Sequence, residues 1–161
     1  MHGEAHDWIE ANRPVPSAAA VLEIGSYNVN GSVRDLFTEV RLYLGIDLRP
    51  GLGVDQVVGA SDFDGLGRYD IVVCTSVMEH VLNPADVTEC AWRALRSAGL
   101  LLLTTVTPQY QPHGNNGGPV GTEHYAGIEP SALEVMLRDW EDVLIDYHPG
   151  RAEVYARAVK P

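Results

Sequence analysis

Val21-Leu22-Glu23-Ile24-Gly25-Ser26-Tyr27-Asn28-Val29-Asn30-Gly31-Ser32-Val33-Arg34-Asp35-Leu36-Phe37 changes character twice. The apolar run from Ala18 to Ile24 stops at Gly25 and a group of small and amide residues, Ser26, Asn28, Asn30 and Gly31. A buried strand that gives way to a tight loop reads this way. Ser32 and Asp35 then approximate a Ser-x-x-Asp capping box, and Val33, Leu36 and Phe37 supply the apolar face of a helix. Strand, glycine turn and helix N-terminus make the first unit of an open α/β sheet. Its ligand crevice lies at the strand's carboxyl end, and the site is expected there.

The loop restricts the ligand. In a dinucleotide fingerprint G-x-G-x-x-G the later glycines admit the pyrophosphate and the close packing of helix on strand. Counted from Gly25, those positions are Tyr27 and Asn30, whose side chains crowd a phosphate. A nicotinamide or flavin dinucleotide is therefore disfavoured. Glu23, just before the turn, repels phosphate further and suits a cationic group such as an amine or sulfonium.

Further motifs follow in order: a second strand ending at Asp47, then Tyr69-Asp70-Ile71-Val72-Val73-Cys74, Met78-Glu79-His80-Val81 and Arg93-Ala94-Leu95-Arg96-Ser97-Ala98-Gly99. With Glu23-Ile24-Gly25 they resemble the class I S-adenosylmethionine-dependent methyltransferases, most strongly from Val21 to Val106. The resemblance implies an α/β fold: a doubly wound, mostly parallel Rossmann-like sheet that ends in an antiparallel hairpin. It also implies S-adenosylmethionine as cofactor. One departure concerns the glycine-rich loop, usually acid-x-Gly-x-Gly-x-Gly, where this chain has Tyr27 and Val29 at the second and third glycines. Asn28 and Asn30 enter positive φ more readily than most residues, so the loop can still turn.

The site residues follow from both readings. Asp47 lies 22 residues beyond Gly25, near the offset of ~20 at which an acid meets ribose hydroxyls in this kind of fold. By resemblance, Leu48 packs on adenine, and the Ala60-Ser61-Asp62-Phe63 stretch holds the acid for the adenine amine, with Asp62 the choice and Ser61 its neighbour. Also by resemblance, Glu23, Gly25, Ser26, Tyr27 and Asn28 in the loop, with Thr75 and Ser76 after the strand Asp70 to Cys74, complete the cofactor set. His80 is a candidate general base for an acceptor hydroxyl, since an unperturbed imidazole titrates near ~6.5.

Composition places the chain among soluble globular proteins. At 161 residues it is expected to form one domain, residues 1–161, with 45% apolar and 20% charged residues. No apolar run approaches the ~20 residues of a membrane span, and no secretory signal is evident. Cys74 and Cys90 form no C-x-x-C pair, so neither a disulfide framework nor a zinc site is indicated, and a reducing cytoplasm is expected. Net charge is −11 without a basic run, which argues against nucleic acid as a partner; the expected partner is a small-molecule substrate. Oligomeric state stays open.

Residues 2–12 read as a helix with Ala5, Trp8 and Ile9 on one face, ended by Asn12-Arg13-Pro14-Val15-Pro16. His2 and His6 have the i, i+4 spacing of metal ligands, but no further ligand is evident. Strands are expected at Leu42 to Asp47, Gly53 to Gly59 and Leu100 to Thr105; Asn83-Pro84 opens a helix that Gly99 closes. From Thr107 to Gly127 the Pro and Gly content excludes regular structure and indicates a lid or binding loop, expected to be mobile without ligands. His124 and Tyr125, at its end, are candidate acceptor-site residues. A helix from Glu129-Pro130-Ser131 and a hairpin across His148-Pro149-Gly150-Arg151 finish the chain.

Two functions remain open. One is methyl transfer from S-adenosylmethionine to an oxygen, nitrogen or carbon nucleophile of a small molecule, achieved chiefly by holding donor and acceptor in line. The other is a non-catalytic methyltransferase-like module that binds the cofactor or regulates a partner, which the altered glycine loop favours. A nucleotide-dependent oxidoreductase on the same architecture is argued against by Tyr27 and Asn30.

Overall fold

A computed structural model describes residues 3–14 and 18–161. Helix α1 spans Gly3–Asn12 and buries Ala5 and Ile9. His2, of the histidine pair noted above, and Val15-Pro16 lie outside the described residues. The strands are β1 Ala20–Ile24, β2 Leu42–Asp47, β3 Gln56–Val57, β4 Tyr69–Thr75, β5 Leu95–Val106, β6 Glu141–His148 and β7 Glu153–Val159; α2 is Ala85–Ala94 and α3 is Pro130–Met136.

These strands form one seven-stranded sheet in the order β3-β2-β1-β4-β5-β7-β6. The first five in that order run parallel, and β7 joins antiparallel to both β5 and β6. The fold is thus the doubly wound α/β sheet with a closing antiparallel hairpin. Strand order reverses between β1 and β4, which opens a crevice at their carboxyl ends.

Alternating residues of the central strands feed two cores, as the period of two in a strand requires. On one face Leu22, Ile24, Val72, Cys74, Leu101 and Leu103 pack with Val87, Cys90 and Ala91 of α2 and Leu133 of α3. On the other, Val21, Ile71, Val73 and Leu102 meet Ile9 of α1 and Val33 and Phe37. Both faces of β4 and β5 are covered, which explains their nearly continuous apolar sequence.

Several local expectations are corrected. After the first loop there is only a 3-10 turn, Arg34–Phe37, with no side-chain cap from Val33 at its N-cap. The Ser32 hydroxyl accepts from the Arg34 N–H at 3.1 Å, so the start signal is used but the helix is not propagated. Burial of Val33 and Phe37 is completed within that turn. The expected strand from Gly53 to Gly59 shrinks to the two residues of β3.

Helix α2 ends at Ala94 rather than at Gly99, and Leu95 already begins β5. Its last carbonyls are capped from a distance: Lys160 Nζ donates to the carbonyls of Trp92 and Leu95, each at 2.7 Å. Asn83 does not cap the helix either, because its side-chain amide donates to Asp86 Oδ1 at 2.5 Å.

Candidate functional site

The carboxyl ends of β1, β2 and β4 frame a cavity of about 820 Å³, roofed by part of the segment between β5 and α3. That is ample for a nucleoside-sized ligand. The first loop forms its floor. Gly25 has φ +77°, and a Cβ there would overlap Val77 Cγ2, so both the backbone conformation and the space demand glycine. The N–H groups of Gly25 and Ser26 donate to the Ile46 carbonyl at 2.8 and 3.0 Å, fastening the loop to β2. Within this floor the Ser26 hydroxyl is buried and has no partner among the described residues.

Two acids stand at the strand ends. Asp47 accepts from the N–H of Tyr27 at 3.2 Å and from that of Arg49 at 3.0 Å, which sets the geometry of both turns. Glu23 is 3% exposed and accepts from the Tyr43 hydroxyl at 2.8 Å. Burial pushes its carboxyl up to about 7, against the opposing effects of the Tyr43 bond and the Arg34 charge. Tyr43 itself is pushed up by burial and by the neighbouring carboxylate.

At the other end of the cavity, β4 delivers Thr75 and Ser76. Ser76 has φ +54°, uncommon for a residue with a side chain, and its N–H donates to the Thr104 carbonyl at 2.8 Å. A 3-10 turn, Met78–His80, follows. His80 meets the rings of His113 and Tyr125 edge-on at centroid distances of 5.1 and 5.4 Å. Burial, then the nearby His113, pulls the His80 imidazole down to about 4, so the ring is neutral near pH 7 and a weak base. Burial also pushes the Tyr125 hydroxyl up to about 12.

Of the residues singled out in the sequence, Glu23, Gly25, Ser26, Tyr27, Asp47, Leu48, Ser61, Thr75, Ser76 and His80 line the cavity. Asn28, Asp62, His124 and Tyr125 do not. Asn28 closes the loop on itself, its Oδ1 accepting from the Gly31 N–H at 2.9 Å. Asp62 is exposed and Ala60 stands on the wall instead, because the turn at 59–62 directs the later side chain to solvent. Tyr125 sits behind the wall against His80 and His113. Arg49 and His113, neither of them a candidate from the sequence, also line the cavity. Arg49 was signalled only by its place after Leu48; His113 carried no local signal.

The segment between β5 and α3 is pinned at its return, where the Ala126 N–H donates to the Glu79 carbonyl at 2.8 Å and the Ile128 N–H to that of Val106 at 2.7 Å. Within it, Gly114 N–H donates to the Gly118 carbonyl at 2.7 Å. No described helix is long and apolar enough to cross a membrane.

Known proteins share this fold. A ubiquinone biosynthesis O-methyltransferase of Hydrogenovibrio crunogenus is 31% identical over 97 residues, 51% of this chain and 40% of that protein. One of Xanthomonas oryzae pv. oryzae is 33% identical over 100 residues, 53% of this chain and 42% of that protein. The chain thus spans well under two thirds of the length of these relatives. Among solved structures, 1,6-didemethyltoxoflavin-N1-methyltransferase of Burkholderia thailandensis, with 1,6-didemethyltoxoflavin and S-adenosylhomocysteine bound, superposes with a TM-score of 0.67 at 15% identity, covering 98% of this chain and 77% of that one. Phosphoethanolamine N-methyltransferase 2 of Haemonchus contortus, in complex with S-adenosyl-L-methionine, gives 0.73 at 13% identity, covering 98% and 52%. A family model described as a methyltransferase domain matches residues 2–149, nearly the whole fold, and the chain belongs to that family.

Proposed function

We propose that the chain binds S-adenosylmethionine in the cavity and transfers its methyl group to a small-molecule nucleophile. The observation that carries this reading is the pairing of Asp47 and Glu23 at adjacent strand ends beside the Gly25 loop, all lining the cavity. Asp47 would accept from the ribose hydroxyls, Leu48 would cover the adenine, and the loop backbone with Glu23 would face the cationic methionine portion. The fit is supported by the cavity's volume of about 820 Å³, which holds a nucleoside-sized ligand, and by the carboxylates of Asp47 and Glu23 among its lining residues. The bound sulfonium supplies an already activated methyl. What the protein adds is alignment and exclusion of water.

An oxygen acceptor is the preferred class. It rests on similarity to relatives named as O-methyltransferases and on His80 and His113, which line the cavity and meet edge-on at 5.1 Å between ring centroids. His124 and Tyr125 are not assigned a role, because neither is on the cavity wall. The test is thermal shift and calorimetry with S-adenosylmethionine, S-adenosylhomocysteine and NAD(P), followed by turnover assays with hydroxylated aromatic acceptors. Stabilisation by the first two alone is expected. Preferential stabilisation by NAD(P), or no ligand response at all, would overturn the reading.

A further inference from the structure

At the acceptor end stands a set of side chains that methyl transfer from a sulfonium does not by itself require. Glu79 and His80 come from the 3-10 turn after β4, and His113 from the segment that roofs the cavity. One oxygen or nitrogen of each lies within 4.8 Å of the others. Glu79 is 0% exposed, an extreme position for a carboxyl group. One of its oxygens accepts from the Thr105 hydroxyl at 2.8 Å, and the other has no partner among the described residues. Nδ1 of His80 is likewise buried without one. Buried polar atoms are nearly always satisfied, so two orphans in one cluster call for a ligand.

We propose that Glu79, His80 and His113 hold a divalent transition-metal ion, of the Zn²⁺ or Mn²⁺ class. One carboxylate and two imidazoles form a donor set suited to such borderline ions, and three protein ligands leave a coordination position open toward the cavity. The edge-on meeting of the two imidazole rings, at 5.1 Å between centroids, keeps them from stacking face to face. Only modest closure is needed, because bonds of ~2.0–2.2 Å to a common ion bring donor atoms to ~3–4 Å of one another.

The use of such an ion rests on the methyl-transfer reading. A hydroxyl acceptor bound at the open position becomes more acidic and yields its proton to water. Its oxygen then attacks the methyl carbon; the O–C bond forms as the C–S bond breaks, and the sulfonium leaves as a neutral thioether. The binding of the ion itself does not depend on that reading.

The experiment uses the whole chain after treatment with a chelator. Co²⁺, as a spectroscopic stand-in, and Zn²⁺ and Mn²⁺ are titrated by visible absorption and calorimetry without cofactor or acceptor. One ion per chain is expected, with visible bands for Co²⁺ and an affinity that falls at least tenfold in both Glu79→Gln and His113→Ala. His113 is half-buried on a loop, so its variant serves if Glu79→Gln fails to fold. The His6, Asp7 and Glu10 group on α1 also brings ligand atoms together, and His6→Ala is expected to leave the affinity unchanged. Absence of binding up to millimolar metal overturns the proposal, as does binding that survives His113→Ala or is lost in His6→Ala. Because the readout is metal alone, such a failure leaves the methyl-donor reading standing, whereas failure to bind S-adenosylhomocysteine would remove that reading and not the metal site.

Discussion

Arg49 donates from its guanidinium to the backbone carbonyl of Asn115 at 3.0 Å, joining the turn after β2 to the segment that roofs the cavity. The same guanidinium lies 4.4 Å from the centroid of the Tyr27 ring. One side chain therefore touches the glycine loop and the roof together. Arg49→Ala is expected to speed amide exchange in residues 113–119 by up to about tenfold, since a partly exposed charged hydrogen bond contributes about 1 kcal/mol. S-adenosylhomocysteine affinity is expected to fall three- to tenfold. Unchanged exchange in hydrogen–deuterium mass spectrometry would show that the roof is held by its internal hydrogen bonds alone.

Asp47 is committed to two backbone N–H groups and is also the residue assigned to the ribose. Removing it loosens the loop and deletes the ligand contact. Asp47→Ala should lose at least tenfold in S-adenosylhomocysteine affinity, from one or two charge-assisted bonds of roughly 1.5–3 kcal/mol each. Asp47→Asn, which keeps one acceptor, should fall between wild type and alanine. Calorimetry that ranks all three alike would remove Asp47 from the cofactor site.

Gly25→Ala combines a strained φ with a clash against Val77 Cγ2. A loss of about 2–4 kcal/mol is expected from the two costs together. In Gly25→Ala/Val77→Ala the overlap is relieved and the φ strain of about 1 kcal/mol remains, offset against the cavity left by valine. Urea denaturation of the single and double variants measures this. Additive losses would mean that the Val77 contact does not limit the loop.

Glu23 makes stability depend on pH. Its carboxyl is pushed up from 4.5 to about 7 in the fold, chiefly by burial. A raised folded-state value favours the protonated fold, so this contribution is full below about 4.5 and is lost as pH rises through about 7. The difference amounts to roughly 3 kcal/mol at most, at about 1.4 kcal/mol per unit. Glu23→Gln should lose less stability than wild type between pH 5 and pH 8. Parallel urea midpoints for the two proteins would refute the assignment.

Nucleic acid is not an expected partner, because a chain of net charge −11 gains little from counterion release. Titration with labelled tRNA and duplex DNA at two salt concentrations should show no submicromolar binding. Salt-sensitive tight binding would point to a nucleic-acid acceptor instead.

Runs of apolar residues bounded by turn formers are local signals, and where such a signal was complete the sequence by itself determined the element. β2 from Leu42 to Asp47 was legible to the residue. So were the placement of Gly25, which only glycine can occupy, and of Asp47 at a strand end. Lengths and ends set by distant partners were not legible. The turn at Arg34–Phe37 stops where Val33 and Phe37 complete their burial against strands, and α2 ends at Ala94 because Lys160 Nζ caps it from the far end of the chain. The meeting of His80 with His113 was decided by tertiary structure alone. His113 is 33 residues from His80 in a stretch without periodicity. What brings them together is the return of that segment, pinned by Ala126 to Glu79 and by Ile128 to Val106. Hydrophobic periodicity reports which face of an element is buried; it holds no information about which loop will close over the sheet, because that depends on hydrogen bonds and contacts between residues far apart in the chain.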